Sequence, residues 1–369
     1  MSDGSARATQ VRPERSLLRT VLRWALRILI ALLLLVLLAA ACGAIYQVVA
    51  TGRDAARFPP PGQMVDVGGR RLHLVCSGQG EPTVVLDGPA GTSHLVWLRV
   101  QPALAEFTRV CSYDRAGYGW SDPGPASRTS ETMAADLYAL LRRAGVPGPY
   151  VLVGNSMGGM NARLFALRHP DDVAGMVLAE SGHEEMFRRL PPSAGVSAEE
   201  RRLVSALRVA VRVGLLRAAG IVVGEGSSDA LPDSLRPAAR AAGLRTAWVD
   251  AVAAEVGQIE QSNASAAAAL AGGPHPLLGD KPLVVLVRDR NDQQFRDDPA
   301  VRETWMALQR ELAASSTGGV LRVVEGSGHF VEVDRPQAVI EAVRGVVDQV
   351  RSAAAGAAAP STGGAATRR

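Results

Sequence analysis

Ser156 sits in "YVLVGNSMGGMNARLFALRHP", and its flanks, Gly154 and Gly158, complete the pattern G-x-S-x-G. That pattern describes a sharp strand-to-helix turn that presents a serine Oγ as a nucleophile. Glycine is about a tenth of the chain, so the spacing alone is weak and the surroundings must decide. They fit. Ser156 directly follows a continuous apolar run and directly precedes a helical pattern, and a turn this tight requires small residues two positions away on each side. The N–H of Met157, first in that helix, is placed to stabilise an oxyanion with help from the helix dipole.

A serine hydroxyl needs a base. Of the six histidines, His329 in "VVEGSGHF" stands in a loop after the last predicted strand and follows the serine in the order nucleophile, acid, base. His73, His94, His169, His183 and His275 lack that combination, with His94 and His183 left as pocket-lining candidates, and no histidine pair has metal-ligand spacing. The acid that must orient His329 has three candidates at strand ends: Asp292 and Asp289 in "PLVVLVRDRND", and Glu180 in "MVLAES". The second oxyanion donor is expected in the loop after "TVVL". Pro89 has no N–H, which leaves the amide of Ala90.

The elements that must hold these residues are legible as alternating signals. Short β-rich runs, "QMVDVGG", "RRLHLVCSG", "PTVVLDG" and "RVCSYDRAG", are separated by Gly and Pro turns. "TSETMAADLYALLRRAG" places Met133, Leu137, Leu140 and Leu141 on one helical face. "PYVLVG" and "VAGMVLAES" read as strands covered on both faces. The alternation stops between Gly182 and Gly279, where Ala-, Leu- and Val-rich helical patterns predict an inserted lid at about 183–279. It resumes with "KPLVVLVRD", a helix from about Pro299, "VLRVVEGSGHF" and a helix from Pro336. The fold class implied is α/β, a mostly parallel sheet with helices on both faces, and such sheets gather their active groups at the strands' carboxyl ends.

Ile28 to Gly52 is a run of 25 uncharged residues, long enough to cross a bilayer as a helix. Six arginines precede it against Asp3 and Glu14, which holds the N-terminus in the cytoplasm and sends the rest across. A cleaved signal peptide, or a lipoprotein signal acylated at Cys42, are the alternatives, and each also places the remainder outside the cytoplasm. The organisation expected is a basic N-terminus over 1–27, a transmembrane anchor over 28–50, a linker over 51–62, a catalytic domain over 63–351 and a disordered Ala/Gly/Pro/Thr-rich tail over 352–369. The net charge of +4 is carried by scattered arginines with a single lysine, Lys281, and does not point to nucleic acid.

With "VLDGPAGTS", "YDRAGYGWSD", "GNSMGG" and "GSGHFVEVDRP" in this order, the chain resembles the α/β-hydrolase fold serine hydrolases over about Val65 to Val350. The resemblance implies an esterase- or lipase-like enzyme without cofactor or metal, acting on a small-molecule ester or lipid-like substrate. An acyltransferase, a peptidase or a non-catalytic membrane-anchored binding module would carry the same residues. A serine at 156 argues against the epoxide hydrolases and haloalkane dehalogenases of this fold, which use aspartate there. Asp114, Arg115 and Trp120 would be structural or pocket-shaping. Two departures stand out: Asp87-Gly88-Pro89 in place of the usual His-Gly, and Asn155 where histidine is common, the latter with little expected consequence. The family's sheet sets its second and fourth strands side by side, which implies a disulfide between Cys76 and Cys111.

Overall fold

A computed structural model describes residues 14–358 apart from 193–194, 225–230 and 290–297. Helix α1 (Glu14–Arg57) leads into strands β1 (Gln63–Asp66), β2 (Arg71–Ser77) and β3 (Thr83–Asp87). A short α2 (Gln101–Ala105) precedes β4 (Val110–Asp114) and α3 (Ser130–Arg143), then β5 (Tyr150–Asn155), α4 (Met157–Arg168) and β6 (Val173–Ala179). The lid follows as α5 (Met186–Arg189), α6 (Ala198–Arg212), α7 (Leu215–Ala218), α8 (Arg236–Gly243) and α9 (Thr246–Ala271). The chain closes with β7 (Leu283–Arg288), α10 (Pro299–Ala313), β8 (Val320–Val324), α11 (Val331–Asp334) and α12 (Pro336–Ala358).

The eight strands form one sheet in the order β1-β2-β4-β3-β5-β6-β7-β8. Strand β2 pairs antiparallel with β1 and β4, and the strands from β4 onward run parallel. Alternation along a strand divides the core into two layers. Val85 of β3 packs with Leu137 of α3 and Leu164 of α4, while its neighbours Val84 and Leu86 pack with Leu104 of α2 and Val343 of α12. Cys76 and Cys111 are direct partners in the β2–β4 register and are joined by a disulfide.

Two boundaries differ from expectation. The linker over 51–62 is helical through Arg57, because "TGRDAAR" carries a single glycine and no proline, and the first stop is Pro59-Pro60-Pro61. The tail from 352 continues α12 to Ala358, where alanine is the strongest helix former, while residues 359–369 lie outside the described chain. Helix α1 carries an apolar stretch whose hydropathy and length suffice to cross a membrane. Its end is tied to the catalytic layer: Trp120 Nε1 donates to the Phe58 carbonyl (2.9 Å) and the Gly62 amide donates to His73 Nε2 (3.1 Å).

Candidate active site

Strand β5 ends in a turn held from three sides. Ser156 has φ +53° and ψ −115°, one of two non-glycine residues with positive φ among the described residues. Its amide donates to the Ala179 carbonyl (3.1 Å), and its own carbonyl accepts from Gly159 (3.1 Å) and Gly182 (2.9 Å). The glycines answer a steric need. A Cβ on Gly158 would lie 2.1 Å from the Asp87 carbonyl oxygen, and one on Gly154 would lie 2.5 Å from the Gly158 backbone. The Ser156 hydroxyl does not cap α4, although it stands at the cap position.

The other positive-φ residue is Glu180, at +46°, directly after β6. Its amide donates to the Leu286 carbonyl (2.8 Å), and the side chain is fully buried. Oε1 accepts from the Arg288 amide (2.9 Å) and Trp305 Nε1 (3.3 Å). Oε2 faces Arg288 Nε at 3.1 Å and His329 Nδ1 at 3.6 Å. Of the three acids considered, the structure therefore brings Glu180 to the His329 ring. Asp289 Oδ1 accepts from the Ser327 amide (3.2 Å) and so touches the histidine loop. Asp292 lies outside the described residues.

Asn155, expected to be of little consequence, and Glu332, which sequence reasoning passed over, join the elbow to the histidine loop. Asn155 Nδ2 donates both to the His329 carbonyl (3.1 Å) and to Oε2 of the fully buried Glu332 (2.7 Å). Asn155 thus has a consequence after all: it sets the height of His329 relative to the neighbouring Ser156. Nothing local signals this, because the partners are 174 and 177 residues away.

The loop from Asp87 to Gly91 is gripped by Arg115. Its guanidinium donates to Asp87 Oδ1, the Gly88 carbonyl and the Pro89 carbonyl, each at 2.6 Å. Tyr118 Oη accepts from the Gly91 amide (3.2 Å) and donates to Glu255 Oε2 of α9 (2.5 Å). Glu255 also receives Arg128 (2.5 Å) and stands 3.7 Å from Arg115 Nε. Burial pushes the Arg115 guanidinium down, but the charges of Glu255 and Asp87 outweigh it and hold it above its ordinary value. With Gly91 N–H committed and Pro89 without one, Ala90, which is exposed, keeps the place expected of the loop's oxyanion donor.

A cavity of about 460 Å³ opens beside this loop, lined by Ala90, Leu95, Leu98, Leu231, His329 and Phe330 among others. His94 and His183 are not among its lining residues. His94 instead joins His73 and Asp114 in a buried cluster that no sequence spacing suggested. Asp114 Oδ2 accepts from His73 Nδ1 (2.8 Å) and the Trp120 amide (2.9 Å), and Oδ1 from the His94 amide (2.7 Å) and Nδ1 (3.0 Å). Both His73 nitrogens are engaged, since Nε2 accepts from Gly62, so its lone pair is not offered to a metal ion. Burial pushes the Asp114 carboxyl up, yet His94 and His73 outweigh it and hold it far below the usual range. The cluster bolts β2, β4 and the turn after β3 together behind the site. His183 accepts the Glu185 amide at Nδ1 (3.0 Å); burial lowers it to about 4 against the pull of Glu184.

Residues 81–206 match a family model described as alpha/beta hydrolase fold. An uncharacterized vacuolar membrane protein of Saccharomyces cerevisiae is 34% identical over 149 residues, 34% of this chain and 23% of the relative. An AB hydrolase superfamily protein of Gibberella zeae is 26% identical over 294 residues, covering 73% of this chain and 88% of the relative. The aligned part spans only 20–45% of the length of the first six curated relatives it matches. Among solved structures, a thermophilic esterase from Thermogutta terrifontis superimposes with a TM-score of 0.54 at 25% identity, covering 78% of this chain and 97% of the esterase.

Proposed function

We propose that this chain, whose residues 81–206 match the alpha/beta hydrolase fold family, is a membrane-anchored serine hydrolase that cleaves a carboxylic ester. The observations that support the reading are a strained serine at the head of α4, a histidine ring that faces the buried carboxylate of Glu180, and the hydrogen bond by which Asn155, next to Ser156, holds the His329 carbonyl. Ser156 Oγ attacks the acyl carbon while His329 takes the hydroxyl proton. The tetrahedral oxyanion is held by the amides of Met157 and Ala90. Collapse breaks the bond to the alcohol oxygen, which leaves with the proton from His329, and Ser156 keeps the acyl group. Water, deprotonated by His329, then releases the acid and restores the serine. Glu180 orients the imidazole and balances its charge during each transfer.

The apolar cavity lining, Leu95, Leu98, Leu231 and Phe330, supports a lipophilic acyl chain. The likeness to the Thermogutta esterase supports an ester over other acyl derivatives. The arginine-rich N-terminus and the apolar length of α1 support an uncleaved anchor with the catalytic domain outside the cytoplasm. The test is fluorophosphonate labelling of the detergent-solubilised full chain beside its Ser156→Ala variant, with mass spectrometry of the labelled peptide. Labelling at Ser156 that vanishes in the variant supports the reading. Absence of labelling in folded protein, with and without added lipid, overturns it.

A further inference from the structure

The lid and the anchor meet well inside the apolar run of α1. Gly43 lies against the turn between α6 and α7 so closely that a Cβ there would stand 2.1 Å from the Val213 carbonyl oxygen. A Cβ on Gly214 would in turn stand 2.6 Å from the Gly43 carbonyl oxygen. One turn later Gln47, polar within an apolar segment, is buried by the lid and donates to the Leu244 carbonyl (2.7 Å). Arg217 of α7 reaches Asp54 at 2.6 Å.

These contacts fix a depth. Ile28 to Cys42, the apolar stretch before the lid begins, is 15 residues. At 1.5 Å per residue it spans about 22 Å, short of the roughly 30 Å of a hydrocarbon core. Counting back to Trp24 would draw Arg27 into the hydrocarbon, where a guanidinium is expensive. Counting forward costs nothing on the other side of α1, where Ile45, Tyr46, Val48 and Val49 stay exposed. The bilayer therefore has to reach the level at which the lid is already present. At that level the lid presents Leu215 (56% exposed) and Ile221 to solvent, and Leu203, Ala206 and Val209 follow along α6 at three-residue spacing. The arginines of the corner are paired: Arg208 and Arg212 with Asp250, Arg217 with Asp54.

We propose that the α6–α7 corner of the lid is sunk in the outer leaflet at the depth of Gly43, its docking partner being the lipid bilayer that α1 crosses. The deficit of about 8 Å matches the depth to which interfacial amphipathic elements settle between headgroups and acyl chains. Gly224, three residues beyond Ile221, lines the cavity with Leu231, so the immersed corner leads from the leaflet to the site. The substrate class this favours is an amphiphilic ester taken from the membrane. The inference rests on α1 being an uncleaved anchor, and not on the chemistry of Ser156.

The test uses the full chain with Cys42→Ser, the free cysteine, and Leu215→Cys carrying an environment-sensitive nitrobenzoxadiazole label. The protein is reconstituted in vesicles of phosphatidylcholine with phosphatidylglycerol, and labelled Val323→Cys on the edge strand β8 serves as the exposed reference. Nitroxide placed high on the acyl chains should quench the label at 215 strongly, and aqueous iodide should quench it about fivefold less than the label at 323. Iodide quenching equal to that at 323 overturns the proposal, as does protection from both quenchers, which would seat a second copy on the corner. Ile221→Cys repeats the measurement where Leu215→Cys does not fold. Failure of intact protein to float with the vesicles removes the anchor and the inference together, while leaving the serine hydrolase reading to its own labelling test.

Discussion

Glu180→Gln is the most informative substitution in the site. Glu180 Oε2 stands 3.6 Å from His329 Nδ1. Two unit charges at that separation in an effective dielectric of about 20 attract by roughly 4–5 kcal/mol. Arg288 Nε, 3.1 Å from the same oxygen, spends part of that field, so about 4 kcal/mol, or roughly 10³-fold in kcat, remains for the imidazolium formed in the transition state. A glutamine amide can also donate to Nδ1 and fix the tautomer that cannot act as base, which extends the expected loss toward 10⁴-fold. KM should move little, because the fully buried carboxylate has no surface to offer the substrate in the ground state.

The assay is steady-state hydrolysis of a chromogenic ester by the full chain, with circular dichroism and a melting curve on each variant. The fold control matters, since Glu180→Gln removes the buried carboxylate that Arg288 faces, and breaking such a buried pair costs about 3–5 kcal/mol of stability. Glu180→Asp keeps the charge and should recover part of the rate. A folded Glu180→Gln protein that loses less than about tenfold refutes the assignment. So does an equal loss in Asp292→Asn, which should stay near the wild-type rate.

Two further outcomes follow from buried charges. Arg115→Lys replaces a fork holding Asp87, Gly88 and Pro89 with a single flexible cation, so the oxyanion loop should loosen and kcat fall by about 10- to 100-fold. Affinity for a trifluoromethyl ketone transition-state analogue should fall in parallel, and an unchanged analogue affinity would reduce Arg115 to a packing role. His183, held down to about 4 in the fold against about 6.5 unfolded, binds fewer protons folded than unfolded between those values. Its contribution is complete above pH 6.5 and is lost as pH falls toward 4, by about 3 kcal/mol. Melting temperature against pH should therefore slope in that window, and His183→Asn should flatten it; an unchanged slope would contradict the burial argument.

The sequence singles out Ser156 because it stands directly beyond β5, and His329 because it lies in the loop that follows β8, and strand ends in a parallel sheet converge. It leaves the acids open, because the approach of Glu180 to the His329 ring depends on β6 lying between β5 and β7 and on the positive φ of the turn at Glu180. Both properties belong to the assembled sheet. The same holds for Asn155 with Glu332, for Arg115 with Glu255, and for His73 and His94 converging on Asp114. Each pairs residues too far apart in the chain for local periodicity to register. The disulfide was reached only by resemblance, and the β2–β4 register supplies its physical basis. The two boundaries that differ share a cause: polar or Ala/Gly-rich composition suggests irregular chain, yet neither 51–57 nor 352–358 contains a proline to stop a helix.

The lid has two attachments of opposite character, and they determine which part of it can yield to a substrate. Helix α9 is fastened to the catalytic layer by buried polar contacts: Glu255 to Tyr118 and Arg128, and Ser262 Oγ to the Ser130 amide at 2.8 Å. Just before α9, Arg245 donates to the carbonyls of Gly119 and Ser121. Lifting α9 would unpair Glu255 in a buried site and slacken the grip on the Gly88–Gly91 loop at the moment an oxyanion needs it. The α6–α7 corner, by contrast, is joined to α1 by the glycine contact and the Arg217–Asp54 ion pair and to α9 by the exposed pairs of Arg208 and Arg212 with Asp250, and among the described residues its outer face is apolar and uncovered. Lipid can replace water on that face at no cost in hydrogen bonds. A lid that opens for substrate is therefore expected to yield at the segment from Ile221 to Gly224 before α9, because moving α9 would release the Glu255 contacts that hold the Gly88–Gly91 loop through Arg115 and Tyr118.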